Sequence, residues 1–161
     1  MEKLVTALPP TLVDLDCGNN SKGITHVGWA MLGRKLPHLP RLEVLGATQC
    51  AMDNRGLAAL VVGLARAPKL MQMSVQTNHI GDEGMFALSE VLQLQPRPAL
   101  RFLMFNAWDE DDAETPCYTA AGLARIRMAG WVQRTPGTLW VRNDVEESED
   151  APHSWPPMFL D

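Results

Sequence analysis

The sequence predicts an α/β solenoid, with about five short strands forming a curved parallel sheet on the concave side and helices on the convex side. Two observations carry this expectation. A nine-residue apolar pattern recurs four times at nearly constant spacing, and a helical pattern follows each of the first three copies in a fixed register.

The four copies are Leu12-Val-Asp-Leu15-Asp-Cys17-Gly-Asn-Asn20, Leu42-Glu-Val-Leu45-Gly-Ala47-Thr-Gln-Cys50, Leu70-Met-Gln-Met73-Ser-Val75-Gln-Thr-Asn78 and Leu100-Arg-Phe-Leu103-Met-Phe105-Asn-Ala-Trp108. Their first residues fall 30, 28 and 30 positions apart. Leu15 and Cys17 alternate with Asp14 and Asp16, which is the period of a half-buried strand. The same alternation turns the equivalent residues of the other copies toward a common core. Asn20 and Asn78 close their copies and are expected to bond backbone groups in the turn that follows each strand.

The helical segments come next. Trp29, Leu32, Gly33 and Leu36 lie at i, i+3, i+4 and i+7. Leu57, Leu60, Val61 and Leu64 repeat this pattern 28 residues on, as do Met85, Leu88, Ser89 and Leu92 after a further 28. Gly28, Gly56 and Gly84 precede them in register, and Asp82 and Glu83 suit a helix N-terminus. One strand–turn–helix unit cannot bury both apolar faces alone, whereas stacked neighbours can.

The ends depart from the pattern. Leu4, Val5 and Leu8 before Pro9-Pro10 read as the last turn of a helix. The fourth copy is followed by an insertion, 109–118, and then a helix expected from about Thr119 to Gln133, in which Arg127 stands where the pattern wants an apolar residue. Thr138-Leu-Trp140-Val-Arg142 reads as a fifth strand after the turn residues Thr135-Pro-Gly137. The expected organisation is a solenoid domain over residues 1–143 and a tail over residues 144–161, acidic at first and then rich in Pro and aromatic residues.

This pattern resembles the leucine-rich-repeat family, and within it the ribonuclease-inhibitor-like class, which includes the Ran GTPase-activating protein and the NOD-like receptors. Asn78-His-Ile-Gly-Asp-Glu-Gly84 is the most specific stretch, and the resemblance extends to about residue 131. It implies repeats of strand, loop and helix, a role for Cys50 equivalent to that of the turn asparagines, and binding through the concave strand face.

That face is expected to present Asp14, Asp16 and Gly18; Val44, Gly46 and Thr48; Gln72, Ser74 and Gln76; Phe102, Met104 and Asn106; and Thr138, Trp140 and Arg142. It changes from acidic, through small and polar, to aromatic. Phe102, Met104 and Trp140 form an expected exposed patch beside Arg142, and such a patch calls for a cover. A protein partner is one cover. The chain's own tail, with Trp155 and Phe159, is another, and that tail also suits binding as a linear segment in a groove of another protein. The residues expected to contact a partner are therefore Gln72, Gln76, Phe102, Met104, Trp140, Arg142, Trp155 and Phe159.

Composition narrows the function classes. The net charge is −5, but the clusters 109–114 and 144–150 hold 10 of the 19 acidic residues and no Lys or Arg, which leaves a mildly basic body. A nucleic-acid binder shows a denser basic stripe interleaved with aromatics. The 3 cysteines lack CxxC spacing, consistent with free thiols in a reducing compartment and with no zinc arrangement. Asp109-Glu-Asp-Asp112 lacks the spacing of a calcium loop. There is no GxSxG, P-loop, GxGxxG or HExxH, and the four histidines are scattered. No apolar run is long enough to span a membrane, and residues 1–8 do not read as a secretory signal. The expectation is an intracellular, soluble, non-catalytic protein-interaction module without cofactor or metal. It would serve as an accessory or scaffold subunit of a larger assembly, or alternatively as a regulator that binds a protein, such as a GTPase or an enzyme, transiently.

Overall fold

Alternation of apolar and polar residues brings Leu15, Leu45, Met73 and Leu103 side by side. They are the central residues of β1 (Asp14–Asp16), β2 (Val44–Gly46), β3 (Gln72–Ser74) and β4 (Phe102–Met104). In the computed structural model these strands pair in parallel, Leu15 with Leu45, Leu45 with Met73 and Met73 with Leu103. The structure describes residues 2–20, 22, 24–94, 98–105, 118–133 and 139–143. Backbone bonds extend each ladder past the strand ends, as in Glu43 N to Val13 O (2.8 Å), Cys17 N to Gly46 O (2.8 Å), Ala47 N to Ser74 O (2.9 Å) and Val75 N to Met104 O (2.8 Å).

The helices α1 (Glu2–Ala7), α2 (His26–Lys35), α3 (Asn54–Val61), α4 (Asp82–Leu92) and α5 (Ala120–Met128) lie in sequence order, each packed on the next. Their apolar stripes form the core with the strands. Trp29, Leu32, Leu57, Leu60, Met85 and Leu88 are all buried in one cluster with Leu15, Leu45, Met73 and Leu103. Short 3-10 turns, Leu36–His38 and Leu64–Arg66, end α2 and α3 and bury Leu36 and Leu64. The α2–α3 contact requires glycine, because a Cβ on Gly63 would overlap the Gly33 carbonyl oxygen and one on Gly33 would lie 2.6 Å from Ala59 O.

The helix starts are tied together by a repeated device. Asn54, the first residue of α3, accepts a bond from Gly81 N (2.6 Å) just before α4. Asp82, the first residue of α4, accepts from Thr119 N (2.7 Å) and from Thr119 Oγ1 (2.7 Å) just before α5. The Thr119 pair holds the Asp82 carboxyl below its usual range. Asp53 and Thr119 also cap their own helices, accepting from Gly56 N (2.8 Å) and Ala121 N (3.1 Å).

The sheet departs from the expected all-parallel, five-stranded arrangement at its last unit. It has six strands among the described residues, in the order β1-β2-β3-β4-β6-β5. The helix expected to run to Gln133 stops at Met128, and Gly130, at φ +85°, turns the chain into β5 (Trp131–Gln133). β6 (Leu139–Arg142) then pairs antiparallel with both β5 and β4. The pairing register sets Trp140 opposite Leu103 on the core side, where it is 1% exposed and stacks on Phe105 at 5.2 Å. Tyr118 meets the same Phe105 ring edge-on at 5.8 Å. Arg127, out of place in an apolar stripe, lies with its guanidinium 5.6 Å from the centre of the Trp140 ring. Two large indoles, Trp131 and Trp140, thus close the end of the core that a further parallel unit would otherwise cover.

Candidate protein-binding face

The alternate residues of β1 to β4 point away from the helices. Asp14 and Asp16 are exposed, while Val44, Gly46, Thr48, Gln72, Gln76 and Met104 are half-buried. Asp16 is held over its neighbour: its Oδ1 accepts from Gly18 N (2.7 Å), and a Cβ on Gly46 would sit 2.6 Å from that oxygen. Glycine at 46 therefore makes room for the acidic side chain beside it. Partial burial and the charge of Asp16 together push the Asp14 carboxyl above its usual range.

The middle of the face is a chain of hydroxyls and amides. Thr48 Oγ1 and Ser74 Oγ lie 2.9 Å apart, and Ser74 Oγ donates to Gln76 Oε1 at 3.3 Å. Ser74 is buried among these neighbours. Gln72 and Gln76 flank it in the strand direction, and polar amides of this kind can exchange water for a partner's backbone groups.

The turn beneath the face is organised by the residues expected there. Asn78 Oδ1 accepts from Cys50 N (3.0 Å) and Met52 N (2.9 Å). Its Nδ2 faces Ala47 O (2.7 Å), Val75 O (3.0 Å) and Gln76 O (3.0 Å). Asn20 Nδ2 donates to Cys17 O (2.8 Å) and Gly18 O (3.0 Å), and Cys50 Sγ donates to Cys17 O (3.1 Å). Asn19, Gln49 and Thr77 occupy one position of the pattern and all have φ between 52° and 59°. These left-handed residues recur because the turn has one shape in these three units. Cys17 and Cys50 are free and buried. Burial, then the neighbouring Cys50 and Asp16, push the Cys17 thiol to about 11, and burial also raises Cys50. Both remain protonated at neutral pH and are poor nucleophiles.

Of the expected contact residues, Gln72, Gln76 and Met104 lie on this face. Phe102 belongs to it by register but is 5% exposed, sharing its side of the sheet with Val141, its partner across β4 and β6. Trp140 is a core residue, so the expected exposed aromatic patch does not form. Arg142 is half-buried and donates through Nη1 to Pro98 O (2.9 Å) and Leu100 O (3.1 Å), at the start of β4. Asn106, Thr138, Trp155, Phe159 and both acidic clusters lie outside the described residues. Among the described residues no three His, Cys, Asp or Glu side chains gather as metal ligands, and no helix is long and apolar enough to cross a membrane. His79 is exposed, with its backbone bonded to Met52 O (2.8 Å).

A second feature has no motif in the sequence to announce it. An open cleft of about 540 Å³ lies at the edge where helices return to strands, lined by Glu43, Pro68, Lys69, Met71, Pro98, Ala99, Arg101 and Arg142. The available signal was the recurrence of a cation just before the strands, Arg41 and Lys69 at the same register and Arg101 close by.

No protein-family model and no curated protein matches this chain. Among solved structures it is similar to the leiomodin-1 actin-binding site 2 fragment, with a TM-score of 0.62 at 16% identity over 79% of this chain and 68% of that one. At that identity the likeness shows a shared fold.

Proposed function

We propose that the chain is a leucine-rich-repeat solenoid of the ribonuclease-inhibitor-like class. We further propose that it works as a non-catalytic interaction module, an accessory or scaffold subunit of a larger protein assembly. The observation that carries this reading is the register: residues one repeat apart become strand neighbours, and their outward positions make one continuous surface across β1 to β4. In this reading Gln72, Gln76 and Met104 contact the partner, and Trp155 and Phe159 contribute from the tail. Trp140 and Phe102 have no part in it, because their area is already spent on the chain's own fold.

Exposed apolar side chains favour the subunit over a transient regulator. Leu4, Val13 and Val27 near the first unit, Val62 and Leu94 after the middle helices, and Met128 and Val132 near the last remain open to solvent. A permanent neighbour would cover them. The solved structure's name points to actin binding by that protein; the likeness bears on fold, so the present reading names no partner.

The test is to tag the full chain in its native source and size the complexes that carry it, comparing wild type with Gln72→Arg/Gln76→Arg. The reading expects wild type in a defined large complex, and the double variant folded but displaced from it. A double variant that stays in the same complex, or a wild-type chain that runs only as a lone monomer, contradicts it.

A further inference from the structure

We propose that the cleft at the helix-to-strand edge of the sheet receives an acidic peptide segment of a partner protein. This site is separate from the open strand face.

The topology gathers cations along one edge of the sheet. Each helix leads back to the next strand along one edge, through residues 36–43, 62–71 and 93–101. Among the described residues of these segments the charged side chains are Arg41, Arg66, Lys69 and Arg101, with Glu43 as the lone acid. Arg142 reaches the same edge because β6 runs against β4, and its backbone N bonds Arg101 O at 3.1 Å. At the opposite edge, where strands lead into helices, Asp16, Asp53, Asp82 and Glu83 stand together with Lys22 and Arg55, so the signs are mixed there. Basic residues in the last turn of a helix, such as Arg34 and Lys35, answer the helix dipole. Lys69 and Arg101 lie beyond any helix, so that explanation does not reach them.

The cleft has the form of a site for a short chain segment. Its volume of about 540 Å³ falls within the range of concave ligand sites. Pro68, Met71, Pro98 and Ala99 give apolar contact area. Lys69 and Arg101 are exposed, and the Pro98 and Leu100 carbonyls hold the Arg142 guanidinium in place. A carboxylate entering here meets cations whose charge-assisted bonds are stronger than neutral ones. Glu43, in the same wall, offers an acceptor to a peptide N–H. It repels phosphate and carboxylate alike, but no aromatic side chain among the described residues lines the cleft to stack a base. The chemistry therefore favours an acidic peptide over nucleic acid.

The experiment titrates the full chain into a fluorescent ten-residue peptide of alternating Glu and Gly and follows anisotropy as salt is raised. The proposal expects saturable binding that weakens with salt. Lys69→Glu/Arg101→Glu should lose at least about tenfold in affinity, as for reversed charges in a complementary contact. Both side chains are exposed, so an unchanged melting curve confirms the fold. Glu43→Gln should tighten binding severalfold, an effect that a structural role for Glu43 would not produce. Three results overturn the proposal. One is no saturable binding, or equal binding by the double reversal. Another is tighter binding of an equally charged oligonucleotide. The third is binding seen only when the chain's own acidic segment is neutralised in the full-length Glu146→Gln/Glu147→Gln/Glu149→Gln/Asp150→Asn variant, which would make that segment the occupant. The open strand face is untouched by Lys69→Glu/Arg101→Glu, so this proposal and the proposed function fail separately.

Discussion

Replacing Asn78 with Ala removes one amide that serves five backbone groups. Its Oδ1 is the acceptor for Cys50 N and Met52 N, and both residues are buried. Its Nδ2 also faces the carbonyls of Ala47, Val75 and Gln76. A buried donor left without a partner costs about 1–3 kcal/mol, so two such donors set a range of roughly 2–6 kcal/mol. A water molecule entering the vacated volume recovers part of this, which places the expected loss near 3 kcal/mol. For a chain of this size, 1 kcal/mol moves the midpoint by about 2–4 °C, so Asn78→Ala should melt roughly 6–12 °C lower. Urea unfolding and calorimetry at neutral pH measure both quantities. Asn20→Ala is the internal control: it loses two bonds from an exposed side chain and should cost only about 1 kcal/mol. If Asn78→Ala proves no worse than Asn20→Ala, the view of Asn78 as the bracket between units is wrong.

Trp140→Ala should cost about 3–5 kcal/mol in urea unfolding, because it empties a core site against Phe105; a near-neutral result would return Trp140 to the surface. Asp82→Ala should lower the melting point at neutral pH. The gap to wild type should then close as pH falls through the depressed folded value, since a carboxyl held below its ordinary 3.8 contributes stability only while ionised. A gap that stays constant down to acid pH would contradict the Asp82–Thr119 tie. At alkaline pH the sign reverses. Cys17 keeps its proton in the fold up to about 11 but releases it near 9.0 when unfolded, so stability should decline across that window, and less steeply in Cys17→Ala.

The strands β1 to β4 were legible because Leu15, Leu45, Met73 and Leu103 recur in a pattern that only neighbouring strands can satisfy. The helices α2 to α4 were legible from the 28-residue spacing of their apolar stripes. The last unit was not. Arg127 and Met128 extend a helical-looking run, and nothing local announces that Gly130 adopts a left-handed turn and that Trp131 opens a strand. Trp140 reads as outward when Leu139 and Val141 are taken as the inward pair of the last strand. The pairing register instead sets Trp140 opposite Leu103 in the core and Val141 opposite Phe102, so Trp140 leaves the expected patch while Met104 stays on the open face. The face itself was readable as a row of alternating residues, whereas the bond from Ser74 to Gln76 and the seating of Asp16 over Gly46 depend on side-chain positions across strands. The basic cleft escaped because its members come from four segments that only the topology unites.

The claim beneath all of this is that equivalent residues of successive units lie next to one another in register. Cross-strand nuclear Overhauser effects on the labelled full chain test it directly. The account predicts parallel-type connectivities that join Leu15 to Leu45, Leu45 to Met73 and Met73 to Leu103. Connectivities shifted by a residue, running antiparallel among these four, or absent, would contradict it.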